Sequence, residues 1–125
     1  MSALVVRHDG TPAAIIAKLD RLFDSPAPPT ALLVGRTEHV IMVLIYLLRR
    51  VLTVPERVAL IARDPDSILT QVSPVISHYS FKSAAYEHRL TRLIMQMLNQ
   101  GSLPPVAHLI FPTFVSGGTV KMVAD

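Results

Sequence analysis

The sequence predicts an α/β fold of three layers, a mainly parallel sheet with flanking helices. Three observations predict it. Short apolar runs rich in β-branched residues at Ala3–Arg7, Ala31–Gly35 and Val58–Ala62 have the length of buried strands. Stretches with helical apolar spacing, one after Thr11 and one from Thr37 to about Val51, separate them. Strands joined through a helix pair in parallel, and the alternation βαβαβ(α)βαβ therefore argues for a layered sheet.

Each element has a local cause. The first strand, Ala3–Arg7, runs into His8-Asp9-Gly10, and Gly10 lets the chain turn. Thr11 then offers a side-chain oxygen as helix cap, and Pro12 takes the first helical position, where its missing N–H costs nothing. Ile15, Ile16, Leu19, Leu22 and Phe23 form one apolar stripe, and Ser25-Pro26-Ala27-Pro28-Pro29 stops the helix. The second strand, Ala31–Gly35, leads through Arg36 to Thr37, the expected cap of the next helix.

That helix is apolar on almost every face from Val40 to Leu48. Covering one side of a sheet needs a single stripe, so the remaining faces need a second burial surface. The alternatives are a core helix packed on both sides within one subunit and a homodimer through helix 37–51, and a domain this small has little material for the first, which points to the second. The third strand, Val58–Ala62, is followed by Arg63 and by Asp64-Pro65-Asp66-Ser67. The latter is turn chemistry, with Asp66 or Ser67 capping a short helix to about Gln71. Pro74–Tyr79 reads as a fourth strand. The last helix, Lys82–Asn99, carries Leu90, Leu93, Ile94, Met97 and Leu98 on one face, and Gly101 with Pro104-Pro105 ends it. His108–Val115 is a final strand, bent at Pro112 as suits a sheet edge.

Composition narrows the function. The 125 residues hold one domain with a real core, 50% hydrophobic and only 17% charged, which excludes a disordered tail. The net charge of +3 comes from cations spread from Arg7 to Lys121, unlike the clustered patch of a nucleic-acid reader. The adjacent pair Arg49-Arg50 sits at a helix end, where cations complement the dipole. Zero cysteines fit a reducing compartment and exclude a thiolate metal site. The N-terminus has no secretory pattern, and Val40–Leu48 falls far short of the ~20 apolar residues a bilayer requires, so a soluble, cytoplasmic protein without membrane contact is expected.

Catalysis has little support. There is no G-x-S-x-G elbow and no dinucleotide glycine fingerprint, and Gly117-Gly118 lacks the Lys-Ser/Thr of a phosphate loop. The histidines at 8, 39, 78, 88 and 108 have no paired spacing for metal binding, and His78 reads as an ordinary core or rim residue. No enzyme, cofactor or metal is expected. Polar groups instead follow three strands: His8-Asp9, Arg36 and Asp64. In parallel neighbours these lie on one rim, the carboxyl end where such sheets gather their ligands. A carboxylate can accept two hydroxyl donors and a guanidinium can meet ring oxygens or an anion, so Arg36 and Asp64 are the candidate effector-binding residues. The plain alternative is that Asp64 caps its turn and Arg36 pairs with Glu38 or water.

Several segments carry a family resemblance: Gly35-Arg36-Thr37, the turn Val51-Leu52-Thr53-Val54-Pro55-Glu56-Arg57-Val58, Ala62-Arg63-Asp64-Pro65, Ser73-Pro74-Val75-Ile76-Ser77 and Phe114-Val115-Ser116-Gly117-Gly118-Thr119. Together they resemble lactose-repressor-type (LacI) transcriptional regulators. The resemblance implies the C-terminal portion, residues 1–125, of a sugar-binding effector domain, an incomplete lobe of periplasmic binding protein type I character. The helix-turn-helix domain and the first part of the effector domain would be absent, so DNA is reached only through that missing N-terminal domain. By the same resemblance Asp64 stands at the usual effector-hydroxyl-binding Asp. Arg36 replaces a common ligand-contacting Asn, which favours an acidic or phosphorylated effector. Gly10 stands where some relatives place an aromatic residue that stacks on the sugar. Related regulators pair through helices in the 37–51 region, and helix Lys82–Asn99 would lack the opposite lobe as a packing partner. Two alternatives are a solute-binding protein for transport and a receiver-like domain with Asp64 as phosphoacceptor. Against the latter, His8-Asp9 supplies a single acid and Lys121 lies beyond a Gly-Gly turn.

Overall fold

The computed structural model describes residues 3–122. Helix α1, Pro12–Phe23, starts as its sequence requires: Thr11 is extended and its hydroxyl accepts the Ala14 N–H at 3.3 Å. Asp9 fixes Thr11 in turn, its Oδ1 accepting the Thr11 N–H (2.9 Å) and hydroxyl (2.7 Å). Gly10 turns the chain at φ +88°, a conformation only glycine adopts freely. Strand β1 (Ala31–Val34), helix α2 (Thr37–Arg49) and strand β2 (Ala59–Ala62) follow. Asp66 caps a 3-10 turn at Ser67–Thr70, its carboxylate accepting the Ile68 N–H at 3.0 Å. Strand β3 (Ser77–Ser80), helix α3 (Ser83–Gln100, closed by Gly101 at φ +73°) and strand β4 (Thr113–Val115) complete the order.

The sheet runs β1-β2-β3-β4, with β1, β2 and β3 parallel and β4 antiparallel on β3. Four sequence expectations need correction. Residues 3–7 form no strand: a strand persists only where a neighbour takes its hydrogen bonds, and β1 pairs with β2 alone, leaving Leu4 and Val5 exposed. The cap of α2 is Arg36, not Thr37, and it makes no side-chain capping bond. The fourth strand begins at Ser77 rather than Pro74, because the preceding residues turn around the Thr119 segment described below. The last strand shrinks from His108–Val115 to Thr113–Val115, since Pro112 has no N–H to donate to a ladder.

Register explains the core. Leu32 lies opposite Leu60 and Val34 opposite Ala62, so these four share one face. Against that face pack Val40, Val43, Tyr46 and Leu47 of α2, with Ile15 and Leu19 of α1 behind them. The opposite face carries Leu33, 64% exposed, beside Ile61. Tyr46, Asp20, Asp24 and Arg50 tie α1 to α2. The Tyr46 hydroxyl donates to Asp20 at 2.7 Å, and Arg50 donates to Asp20 at 3.1 Å and to Asp24 at 2.7 Å. On α2 the outward residues Ile45 and Leu48 stay exposed, and α3 has no buried residue at all. Leu90, Leu93, Ile94, Met97, Leu98 and Leu103 line an open apolar groove of about 320 Å³ along α3.

Candidate functional site

The parallel ladder brings the two candidate residues to one edge. Val34 pairs with Ala62, the last position of each strand, and the Arg63 N–H donates to the Val34 carbonyl at 2.8 Å. Arg36 and Asp64 each stand two residues beyond a strand end, at the carboxyl end of β1 and β2. The third expected contributor reaches the same edge without being a strand. His8 packs edge-on against His39 in the first turn of α2, ring centres 5.2 Å apart. Its Nδ1 accepts the Gly10 N–H at 3.0 Å.

Both candidate charges already have partners. Arg36 is ion-paired with Glu38, and both side chains are more than half exposed. Glu38 is held below the usual carboxylate range, first by its own backbone N–H and then by the Arg36 charge. Asp64 is forked by its neighbour: Arg63 Nε donates to Oδ1 at 2.8 Å and Nη2 to Oδ2 at 3.0 Å. That bond lowers the Asp64 pKa and keeps the carboxylate ionised. Asp64 therefore does not cap its turn; Asp66 does. The Arg63 guanidinium lies over Gly35, where a side-chain Cβ would stand 3.3 Å from its central carbon.

Chemically the edge offers carboxylate acceptors, guanidinium donors and two imidazoles. Among the described residues no group of three or more His, Cys, Asp and Glu side chains converges as metal ligands. His78 is buried, with Nδ1 2.8 Å from the Ile76 carbonyl, so it belongs to the core. The edge is open rather than a closed cavity. A cleft of about 190 Å³ lies at the opposite, amino-terminal end of the sheet, between Thr30, Val58, Arg50 and Arg57. No helix among the described residues is long and apolar enough to cross a membrane.

Sequence spacing alone leaves Arg63 and Thr119 without roles. For Arg63 the available signal was a cation beside the candidate acid and a glycine at the end of the neighbouring strand. Thr119 had a signal only in the closing Gly-Gly-Thr, whose function depends on contacts remote in sequence.

The sequence has no match among curated proteins. Solved structures of similar fold include a LacI-family regulator from Bifidobacterium animalis subsp. lactis, at TM-score 0.75 and 15% identity over 90% of this chain and 41% of that one. A LacI-family regulator from an Arthrobacter species, in complex with lactose, gives TM-score 0.69 and 18% identity over 88% of this chain and 40% of the other. An Escherichia coli sugar-binding LacI-family regulator, complexed with phosphate, gives 0.70 and 21% over 89% and 40%. The chain thus spans about 40% of the length of these neighbours. Over residues 3–120 the sequence matches the family of periplasmic binding protein-like domains, and the chain belongs to that family.

Proposed function

We propose that this chain is the effector-sensing part of a LacI-type transcriptional regulator, and that Arg36 and Asp64 contact a sugar or sugar-derived effector. The observation that supports it is the ladder register, which puts the Arg36 and Asp64 positions two residues past the paired ends Val34 and Ala62, on the carboxyl edge of a parallel sheet. Two regulators of similar fold carry lactose and phosphate, one a neutral polyol and one an anion. Asp64 would accept ligand hydroxyls. Arg36 would exchange Glu38 for a ligand anion at small cost, since an exposed ion pair is worth only about 0–1 kcal/mol. The site binds rather than catalyses.

In the intact regulator the effector closes a cleft between two lobes and shifts the populations of two arrangements, which changes operator affinity. The apolar face of α3 meets the opposite lobe, the exposed side of α2 forms a homodimer, and DNA is held by a separate N-terminal domain. The test is thermal-shift measurement of the full-length protein with lactose, cellobiose, gluconate, glucose 6-phosphate and inorganic phosphate. The acidic and phosphorylated compounds are expected to raise Tm most, and Asp64→Asn to abolish the rise. No shift with any compound, or shifts that survive Asp64→Asn, overturns the reading.

A further inference from the structure

Asp64 supplies the hydroxyl acceptor of this edge, and three contacts set its orientation. The backbone of Arg63 is fixed by its N–H bond to the Val34 carbonyl, at 2.8 Å. Its guanidinium is seated over Gly35: a Cβ there would lie 3.3 Å from both the central carbon and Nη2, tighter than ordinary van der Waals contact. From that seat the planar fork meets both Asp64 oxygens, at 2.8 and 3.0 Å. A bidentate guanidinium fixes the plane of a carboxylate, which a lysine point charge does not.

We propose that Arg63 is a positioning residue for the Asp64 carboxylate and that Gly35 is its seat. A hydroxyl-bearing ligand then meets an acceptor in one orientation. This rests on the effector-binding reading of the edge. The fork also restricts how a ligand fits. A carboxylate offers roughly four lone-pair sites, and the fork occupies one on each oxygen. Asp64 keeps one free acceptor direction per oxygen, and these diverge. It therefore takes hydroxyls one at each oxygen and disfavours a vicinal diol clasped across both.

The experiment follows the Asp64 carboxyl carbon by NMR in the full-length protein with labelled aspartate, its signal identified by its loss in Asp64→Asn. Lactose and gluconate affinities are measured beside it at pH 5 and pH 7. In Arg63→Met the Asp64 titration midpoint rises and ligand affinity falls about tenfold, the scale of coupling expected between contacting groups. The affinity loss is larger at pH 5. Arg63→Lys restores the midpoint in part but not the affinity, and Gly35→Val, by displacing the guanidinium, behaves like Arg63→Met. An unmoved midpoint in a folded Arg63→Met protein overturns the proposal, as does full restoration of affinity by lysine. If neither these probes nor the compounds of the thermal-shift series bind the parent protein, the effector reading fails on its own, and the Asp64 midpoint still decides the role of Arg63.

Discussion

A single hydroxyl fastens the carboxyl-terminal segment into the sheet. Thr119 is fully buried between β2 and β3, where its Oγ1 donates to the Leu60 carbonyl (2.6 Å) and accepts the Ser77 N–H (2.9 Å). Its own carbonyl accepts the Leu60 N–H at 2.9 Å. Two glycines make this approach possible. A Cβ on Gly117 would collide with the Val75 carbonyl, and one on Gly118 would lie 2.8 Å from Pro74. Thr119→Val keeps the shape but leaves two buried backbone groups without partners. It is expected to cost about 3 kcal/mol, from ~1–3 kcal/mol per orphaned group, whereas Thr119→Ser costs about 1 kcal/mol. Urea midpoints at neutral pH check both. At this scale the sequence is a partial guide. Asp64 and Arg36 are visible as polar residues after apolar runs, while the part played by Arg63 depends on a glycine 28 positions earlier.

Among the elements, the α1–α2 seam is tied by a polar cluster of four side chains. Tyr46 is nearly buried, and its hydroxyl donates to Asp20 at 2.7 Å, with Arg50 bridging Asp20 and Asp24. Burial pushes the Tyr46 hydroxyl up to about 12, the Asp20 bond adding to it. The unfolded chain releases this proton near pH 10, so the folded state binds the extra proton between the two values. Its contribution to stability is complete below pH 10 and is lost as pH rises toward 12. Tyr46→Phe should be about 1 kcal/mol less stable than the parent at pH 7, and this gap should shrink or reverse by pH 11.5. Denaturant titrations of the two proteins across that window check it, and a constant gap would refute the linkage. Helices α1, α2 and α3 are legible from spacing, caps and breakers because those signals are local. The strand expected at Ala3–Arg7 fails for the opposite reason, since its existence depends on a partner that its own residues do not specify.

For the whole molecule, the open question is which apolar surfaces meet another body. The notion that α2 needs a second burial surface divides once its contacts are known. Val40, Val43, Tyr46 and Leu47 are consumed by the core, which leaves Ile45 and Leu48, the latter 64% exposed, as the outward residues. Leu48→Asp should leave folding within about 0.5 kcal/mol of the parent, as exposed substitutions do, while weakening self-association at least about tenfold. Sedimentation of both proteins over a concentration series checks this. Equal association would remove α2 as the pairing face. The groove along α3 is a separate surface, and its proposed partner is the opposite lobe rather than a second copy.

The amino-acid pattern alone determined the α/β alternation, the cap at Thr11, a cap at Asp66 or Ser67, and the two strand ends that carry Arg36 and Asp64. These depend on neighbours within a few residues or on apolar periodicity, both of which are written along the chain. Tertiary structure selected Glu38 over water as the partner of Arg36, and it alone decided that Asp64 is gripped by an arginine resting on Gly35 and that Thr119 closes the gap between β2 and β3. The Gly35 and Thr119 contacts join residues far apart in sequence, and the local ion pairs depend on side-chain orientation, so only the folded geometry brings these atoms within reach.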